Sequence, residues 1–271
     1  MITDGNSRKR PELHIRAAGL TDVGLVREHN EDAFLADVEG GIFIVTDGVG
    51  GHACGDVAAR MVVEMLPRII RRRIGEMSTP KADDDRAIGP STMLRAGEML
   101  QKSVNELSRR MYDESKDDPG SKGMGATVVV ALLTARHAQI AHMGDSRAYL
   151  FRRGRLRKLT EDHSIVNLLM HNGEITAKEA QDHPARGHLT RFVGMEAEVD
   201  PDAQTIDLQP DDRLLLCTDG LWDMAPDKQL RGILAERNDP EVTCRDLLAA
   251  AKDAGGQDNL TALVVDLLDG R

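Results

Sequence analysis

The chain has 271 residues, 41% of them hydrophobic and 30% charged, with a formal net charge of −10. That length accommodates one large domain or two small ones. The acidic balance argues against a nucleic-acid partner, and no apolar run reaches the roughly 18 residues of a membrane span. Aromatic residues make up 3%, and the three cysteines, Cys54, Cys217 and Cys244, lack Cys-x-x-Cys spacing. An aliphatic core and a reducing, cytoplasmic compartment are therefore expected, not a disulfide framework.

Met1 to Pro11 reads as a loose polar leader without an apolar stretch, so no secretion signal is expected. Residues 13–271 are expected to form a single domain. Leu13 to Leu20 reads as a first strand, and Thr21 to Asp32 as a charged loop carrying Arg27, Glu31 and Asp32. Ala33 to Asp37 reads as a short strand, which Gly40-Gly41 turns back into Ile42 to Val45. That last run is apolar and rich in β-branched residues, the pattern of a buried strand. It leads into Thr46-Asp47-Gly48-Val49-Gly50-Gly51-His52. A carboxylate at the mouth of a buried strand wants a metal or a cation, because burying it unpaired costs several kcal/mol. Gly48, lacking a Cβ, is expected to let its carbonyl approach an ion, and Gly50-Gly51 to bring His52 over the same mouth. Asp-Gly after a strand is also ordinary turn chemistry, so the reading needs a second signal.

Gly55 to Ile74 has apolar residues at three- and four-residue spacing and reads as a helix, with Pro67 expected to kink or break it. Arg71 to Arg73 suit its C-terminal end. Residues 75–90 read as a linker, and Thr92 to Tyr112 as a second amphipathic helix. Three strands are expected over Ala126 to Leu133, Ala138 to Met143 and Arg147 to Arg152, with Arg155 to Leu159 completing a meander. The Gly144-Asp145-Ser146 turn places Asp145 at a sheet end. Glu161 to Met195 reads as a flap with short helices over Ile165 to Met170 and Thr176 to Gln181. Thr176 and Glu179 match a capping box. The flap's His163, His171, His183 and His188 fit no zinc spacing and read as solvent-exposed.

The second signal lies downstream. Arg213 to Cys217 followed by Thr218-Asp219-Gly220 repeats the apolar strand and Thr-Asp-Gly. Helices are expected over Pro226 to Glu236 and Glu241 to Ala254. Asp258 then precedes the apolar run Leu260 to Leu268. If that run is antiparallel to the other two strands, its start lies at the sheet edge where they end, and three distant aspartates converge. Converging carboxylates repel unless a multivalent cation neutralises them, and all-oxygen ligands select hard ions such as Mg²⁺ or Mn²⁺. The elements suggest an α+β fold: an α-β-β-α sandwich of two mainly antiparallel sheets, each covered by a pair of helices.

In this order and spacing the motifs resemble the PPM family of metal-dependent serine/threonine protein phosphatases, the type 2C phosphatases, in their compact bacterial form. The resemblance rests on Val23-Gly24-Leu25-Val26-Arg27 with Asn30-Glu31-Asp32; Thr46 to His52; Gly123 to Thr127; Gly144-Asp145-Ser146-Arg147; Thr218 to Asp223; and Gln257-Asp258-Asn259. It implies Asp47 as the carboxylate bridging two ions and Gly48 as a carbonyl ligand. It implies Asp219 and Asp258 as ligands of the first ion, and Glu31 and Asp32 as an acidic pair holding water on the metals. Asp145 matches a third ion position of many bacterial members. By the same resemblance Arg27 binds the substrate phosphate and His52 protonates the leaving oxygen, with a metal-activated water as the nucleophile. It further implies a phosphoprotein substrate, commonly a bacterial Ser/Thr kinase among them, and a monomer. Two other readings stay open at this stage: a metal-dependent phosphodiesterase or nuclease, and a degenerate phosphatase-like module that binds phosphoproteins or acts as a sensor without turnover.

Overall fold

The computed structural model describes residues 13–50, 54–77, 90–117, 121, 123–134 and 136–269. The expected leader and most of the 75–90 linker lie outside these residues, as does His52. In chain order the strands are β1 (Leu13–Asp22), β2 (Asp32–Asp37), β3 (Ile42–Val49), β4 (Gly125–Ala126), β5 (Val128–Thr134), β6 (His137–Met143), β7 (Arg147–Arg152), β8 (Arg155–Lys158), β9 (Asp202–Asp207), β10 (Asp212–Cys217) and β11 (Leu260–Asp269). The helices are α1 (Gly55–Met77), α2 (Pro90–Asp117), α3 (Ile165–His171), α4 (Ala177–Gln181), α5 (Asp219–Met224), α6 (Asp227–Ala235) and α7 (Pro240–Asp253). One sheet runs β1-β11-β10-β7-β8 and the other β2-β3-β5-β6-β9, with β4 pairing β3. Every strand pairing is antiparallel.

Alternation along the strands explains the layering. On β3, Ile42 and Ile44 join Val62, Leu66, Leu100 and Leu107 beneath α1 and α2. Phe43 and Val45 point the other way, into a core shared with Leu214, Leu216, Leu263 and Val265 of the opposing sheet. On β10 and β11, Leu215, Cys217, Ala262 and Val264 pack instead under α5 to α7. Central strands are thus buried on both faces, which is why they read as unbroken apolar runs instead of alternating ones. The result is the expected α-β-β-α sandwich, with α5 added to the second helical layer.

Several boundaries differ from the sequence reading. α1 runs without interruption through Pro67. Leu66, Pro67, Ile69 and Ile70 are all buried there, and that packing outweighs one missing backbone hydrogen bond. β3 does not stop at Val45 but continues through Asp47, so Asp47 is a strand residue. β9 is not legible in the sequence: Asp-Ala-Gln-Thr-Ile-Asp is polar, and as an edge strand only its Ile206 is buried. α5 begins at Asp219, where a turn is expected from sequence. No helix among the described residues is long and apolar enough to cross a membrane.

Candidate active site

Asp47 lies directly opposite Asp32 in the β2–β3 pairing. Directly paired residues share a face, and Asp47 has the parity of Phe43 and Val45, so both carboxylates face the space between the sheets. Asp219 follows β10 and Asp258 precedes β11, in the other sheet. The aspartates therefore do not share one sheet edge, as the sequence suggests. They meet at one end of the seam between two sheets. Thr218 and Thr261 bridge that seam: both hydroxyls donate to Asp32 Oδ2, each at 2.7 Å.

A cavity of about 490 Å³ opens at this end, lined by Arg27, Glu31, Asp47, Gly48, Asp145, Asp219 and Asp258. Gly187, His188, Leu189 and Phe192 of the 161–195 segment form its other wall. Arg27 Nη2 donates to Asp258 Oδ2 at 2.7 Å. Asp145 sits in its turn with its carbonyl accepting from Trp222 Nε1 at 3.0 Å. The Arg147 guanidinium stacks 3.4 Å from the Trp222 ring and is bidentate to Asp162.

The two Asp-Gly motifs have a shared steric reason. A Cβ on Gly48 would lie 2.0 Å from the Gly55 carbonyl oxygen, and a Cβ on Gly220 would lie 2.0 Å from that of Asn259. Each glycine lets a second segment pass close behind its aspartate.

The electrostatics favour a bound cation. Burial pushes the Asp47 carboxyl well above its ordinary range, and Asp32, Asp219, Asp145 and Asp258 push it further. Burial, with Asp219 and Asp258, pushes Asp32 up to about 8 despite its two threonine donors. Burial and Asp258 push Asp219 up to about 7. Asp145 is raised by burial, then by Asp219 and Asp162. Asp32 Oδ1 is buried without a hydrogen-bond partner. A set of buried and half-buried carboxylates that cannot all ionise together, with an orphaned oxygen among them, fits hard divalent ions. The donor set is entirely oxygen, which suits Mg²⁺ or Mn²⁺.

Sequence reasoning gave no role to two polar residues that build this site. Asn259 accepts from the Glu31 N–H at 2.8 Å and donates to the Val23 and His29 carbonyls at 3.0 and 2.9 Å, folding the 23–31 loop around the cavity. Thr127 Oγ1 accepts the Asp47 N–H at 2.9 Å. Both sit inside the motifs that carry the family resemblance, and that placement is their signal in the sequence. The expectation of exposed flap histidines fails at His163, which is buried against β6. His171 and His188 are exposed.

Carboxylates gathered at one end of a two-sheet seam, with an arginine over them, are what a metal-dependent phosphohydrolase requires. The family model described as Protein phosphatase 2C matches residues 26–263. The serine/threonine phosphatase stp of Listeria monocytogenes serotype 4b (strain F2365) is 35% identical over 91% of this chain and 93% of its own. The crystal structure of the Mycobacterium tuberculosis serine/threonine phosphatase PstP/Ppp superposes with a TM-score of 0.79 at 31% identity, covering 94% of this chain and 99% of that one. The catalytic domain of PstP in complex with two manganese ions gives 0.78 at 30% identity, covering 95% and 100%. The chain belongs to the protein phosphatase 2C family of metal-dependent serine/threonine protein phosphatases.

Proposed function

We propose that Asp47, Asp219 and Asp258, with the Gly48 carbonyl, hold two divalent ions that drive hydrolysis of phosphoserine and phosphothreonine in proteins. The observation carrying this reading is the raised carboxyls of Asp32, Asp47 and Asp219, gathered at one seam with the partnerless Asp32 Oδ1. When bound, the ions supply an activated water and positive charge for the phosphoryl oxygens. The chain's own residues do the rest. Asp47, at the seam end of β3, would hold both ions. Glu31 and Asp32 order water on the β2 side, with Asp32 braced by Thr218 and Thr261. Arg27, on the rim, exchanges Asp258 for the substrate phosphate, and its planar guanidinium matches two phosphoryl oxygens. His52, assigned from sequence alone, donates a proton to the departing serine or threonine oxygen. Asp145 contributes to a third, weaker ion position.

The 161–195 segment acts as a flap forming the wall where a protein substrate rests. The phosphoprotein substrates include a Ser/Thr kinase of the same cell, which the family resemblance supports, and the enzyme works as a monomer in the cytoplasm, for which the three cysteines without disulfide spacing speak. Wild type should release phosphate from a phosphothreonine peptide and leave bis-p-nitrophenyl phosphate nearly untouched. Asp219→Ala should release none. Preference for the diester would favour a phosphodiesterase, and peptide binding without turnover would favour a binding module.

A further inference from the structure

His163 and His142 are buried histidines outside the catalytic cavity. Their rings stack with centroids 4.7 Å apart, and Asp202 lies close enough for the three to suggest a metal site. The hydrogen bonds argue otherwise. The Gly144 N–H donates to His163 Nδ1 at 3.2 Å, so that nitrogen carries a lone pair and the ring proton sits on Nε2. His163 Nε2 faces Asp202 Oδ2 at 3.2 Å as a donor. A neutral imidazole used this way at both nitrogens has no lone pair left for an ion. Burial and the neighbouring His142 ring keep His163 neutral, pushing it down to about 4.

The same residue is tied to the active-site turn through its main chain. The His163 N–H donates to the Gly144 carbonyl at 2.9 Å, closing a two-way link with Gly144. The His163 carbonyl accepts from Thr190 N–H at 2.8 Å, and Thr190 follows directly on the cavity wall residues His188 and Leu189. Asp202 is held in turn by Arg191 at 3.1 Å. A chain of hydrogen bonds thus runs from the edge strand β9 through His163 to the residue preceding Asp145.

We propose that His163 is a positioning residue for the ion site at Asp145. Asp202 fixes its tautomer, its Nδ1 fixes the Gly144 N–H, and the turn then presents the Asp145 carboxylate to the cavity. The same residue holds the wall segment 187–191 in register with that turn. The proposal rests on the reading of Asp145 as an ion ligand.

Calorimetric titration of metal-free protein with Mn²⁺, beside thermal melting, tests it. Asp145→Ala should lose the weakest ion and keep the others. His163→Gln keeps a polar group at the Nε2 end facing Asp202 but offers Gly144 no acceptor. It should weaken that same ion by roughly 10- to 100-fold, as loss of an outer-sphere partner does, and leave the tighter ions and the fold intact. His163→Asn carries an oxygen at the Nδ1 position and should bind the weak ion within about threefold of wild type, on the same scale. Wild-type binding by His163→Gln, while Asp145→Ala loses an ion, would overturn the positioning role and spare the ligand assignment. Loss of the tight ions or of folding in both His163 variants would also overturn it, as would failure of Asn to restore what Gln loses. Retention of every ion by Asp145→Ala would instead remove Asp145 as a ligand, and the proposal with it.

Discussion

Asp32 and Asp47 stand opposite each other across the β2–β3 pair, a buried and a half-buried carboxylate on one face of a sheet. Like charges in that relation destabilise a sheet. Two threonines from the opposing sheet satisfy one oxygen of Asp32 and leave the other bare. This end of the fold is built for a charge the polypeptide does not supply.

Asp47→Asn should therefore separate stability from activity. Removing one of two like charges directly opposite on a sheet should stabilise the metal-free protein, by a few tenths to about 1 kcal/mol on the scale of cross-strand pairs. It should also lower Mn²⁺-dependent phosphate release by about 10³-fold, the cost of losing several kcal/mol of metal-derived stabilisation. Denaturant melts in chelator, paired with turnover assays, check both halves. A variant that is both less stable and fully active would contradict the reading.

The pH dependence of the metal-free protein has a definite sign. Asp32 and Asp219, ordinarily near 3.8, are raised to about 8 and about 7. In the folded state they hold protons that the unfolded chain has already lost. Their contribution is full below about pH 4 and disappears as pH rises through 7 and 8. His163, lowered to about 4, acts oppositely, but only below its ordinary value of about 6.5. Between about pH 6.5 and 8 the melting temperature in chelator should fall. Saturating Mn²⁺ should reverse the fall, adding about 2.7 kcal/mol at 100 times the dissociation constant. A melting temperature that rises with pH in chelator would count against the buried cluster.

Much of this site is legible in the order of residues along the chain. Thr46-Asp47-Gly48 and Thr218-Asp219-Gly220 each follow an apolar strand, and the Asp258 motif precedes another; buried strands with a bare carboxylate are rare enough to be informative. What sequence cannot show is which sheet each strand joins. β3 and β10 read alike because both are covered on two faces, yet they lie in different sheets. β9 and His163 escape for the opposite reason. A polar edge strand carries no hydrophobic period, and burial of His163 depends on stacking with a residue 21 positions earlier.

Arg27→Lys should not restore function. A point charge cannot reproduce the guanidinium fork now set on Asp258 at 2.7 Å. A loss of about 10- to 100-fold in kcat/KM for a phosphothreonine peptide is expected, equal to about 1.4–2.7 kcal/mol. Steady-state kinetics with unchanged Mn²⁺ affinity would assign the loss to phosphate binding. A wild-type kcat/KM in the lysine variant would exclude that role.

If His52 protonates the leaving oxygen, its importance should depend on the leaving group. His52→Ala should slow phosphoserine peptide hydrolysis by about 10²–10⁴-fold. p-Nitrophenyl phosphate, whose leaving group needs no proton, should be affected far less. Equal losses on both substrates would rule out the proton-donor role.

The most direct measurement is phosphate release from a phosphothreonine peptide by one enzyme sample in three states: as purified with Mn²⁺, after chelation and dialysis, and after Mn²⁺ is returned. Divalent ions held by Asp47, Asp219 and Asp258 predict turnover that vanishes on chelation and returns with the metal. In Asp219→Ala it should stay absent throughout. Turnover that persists undiminished in the chelated enzyme would contradict the account.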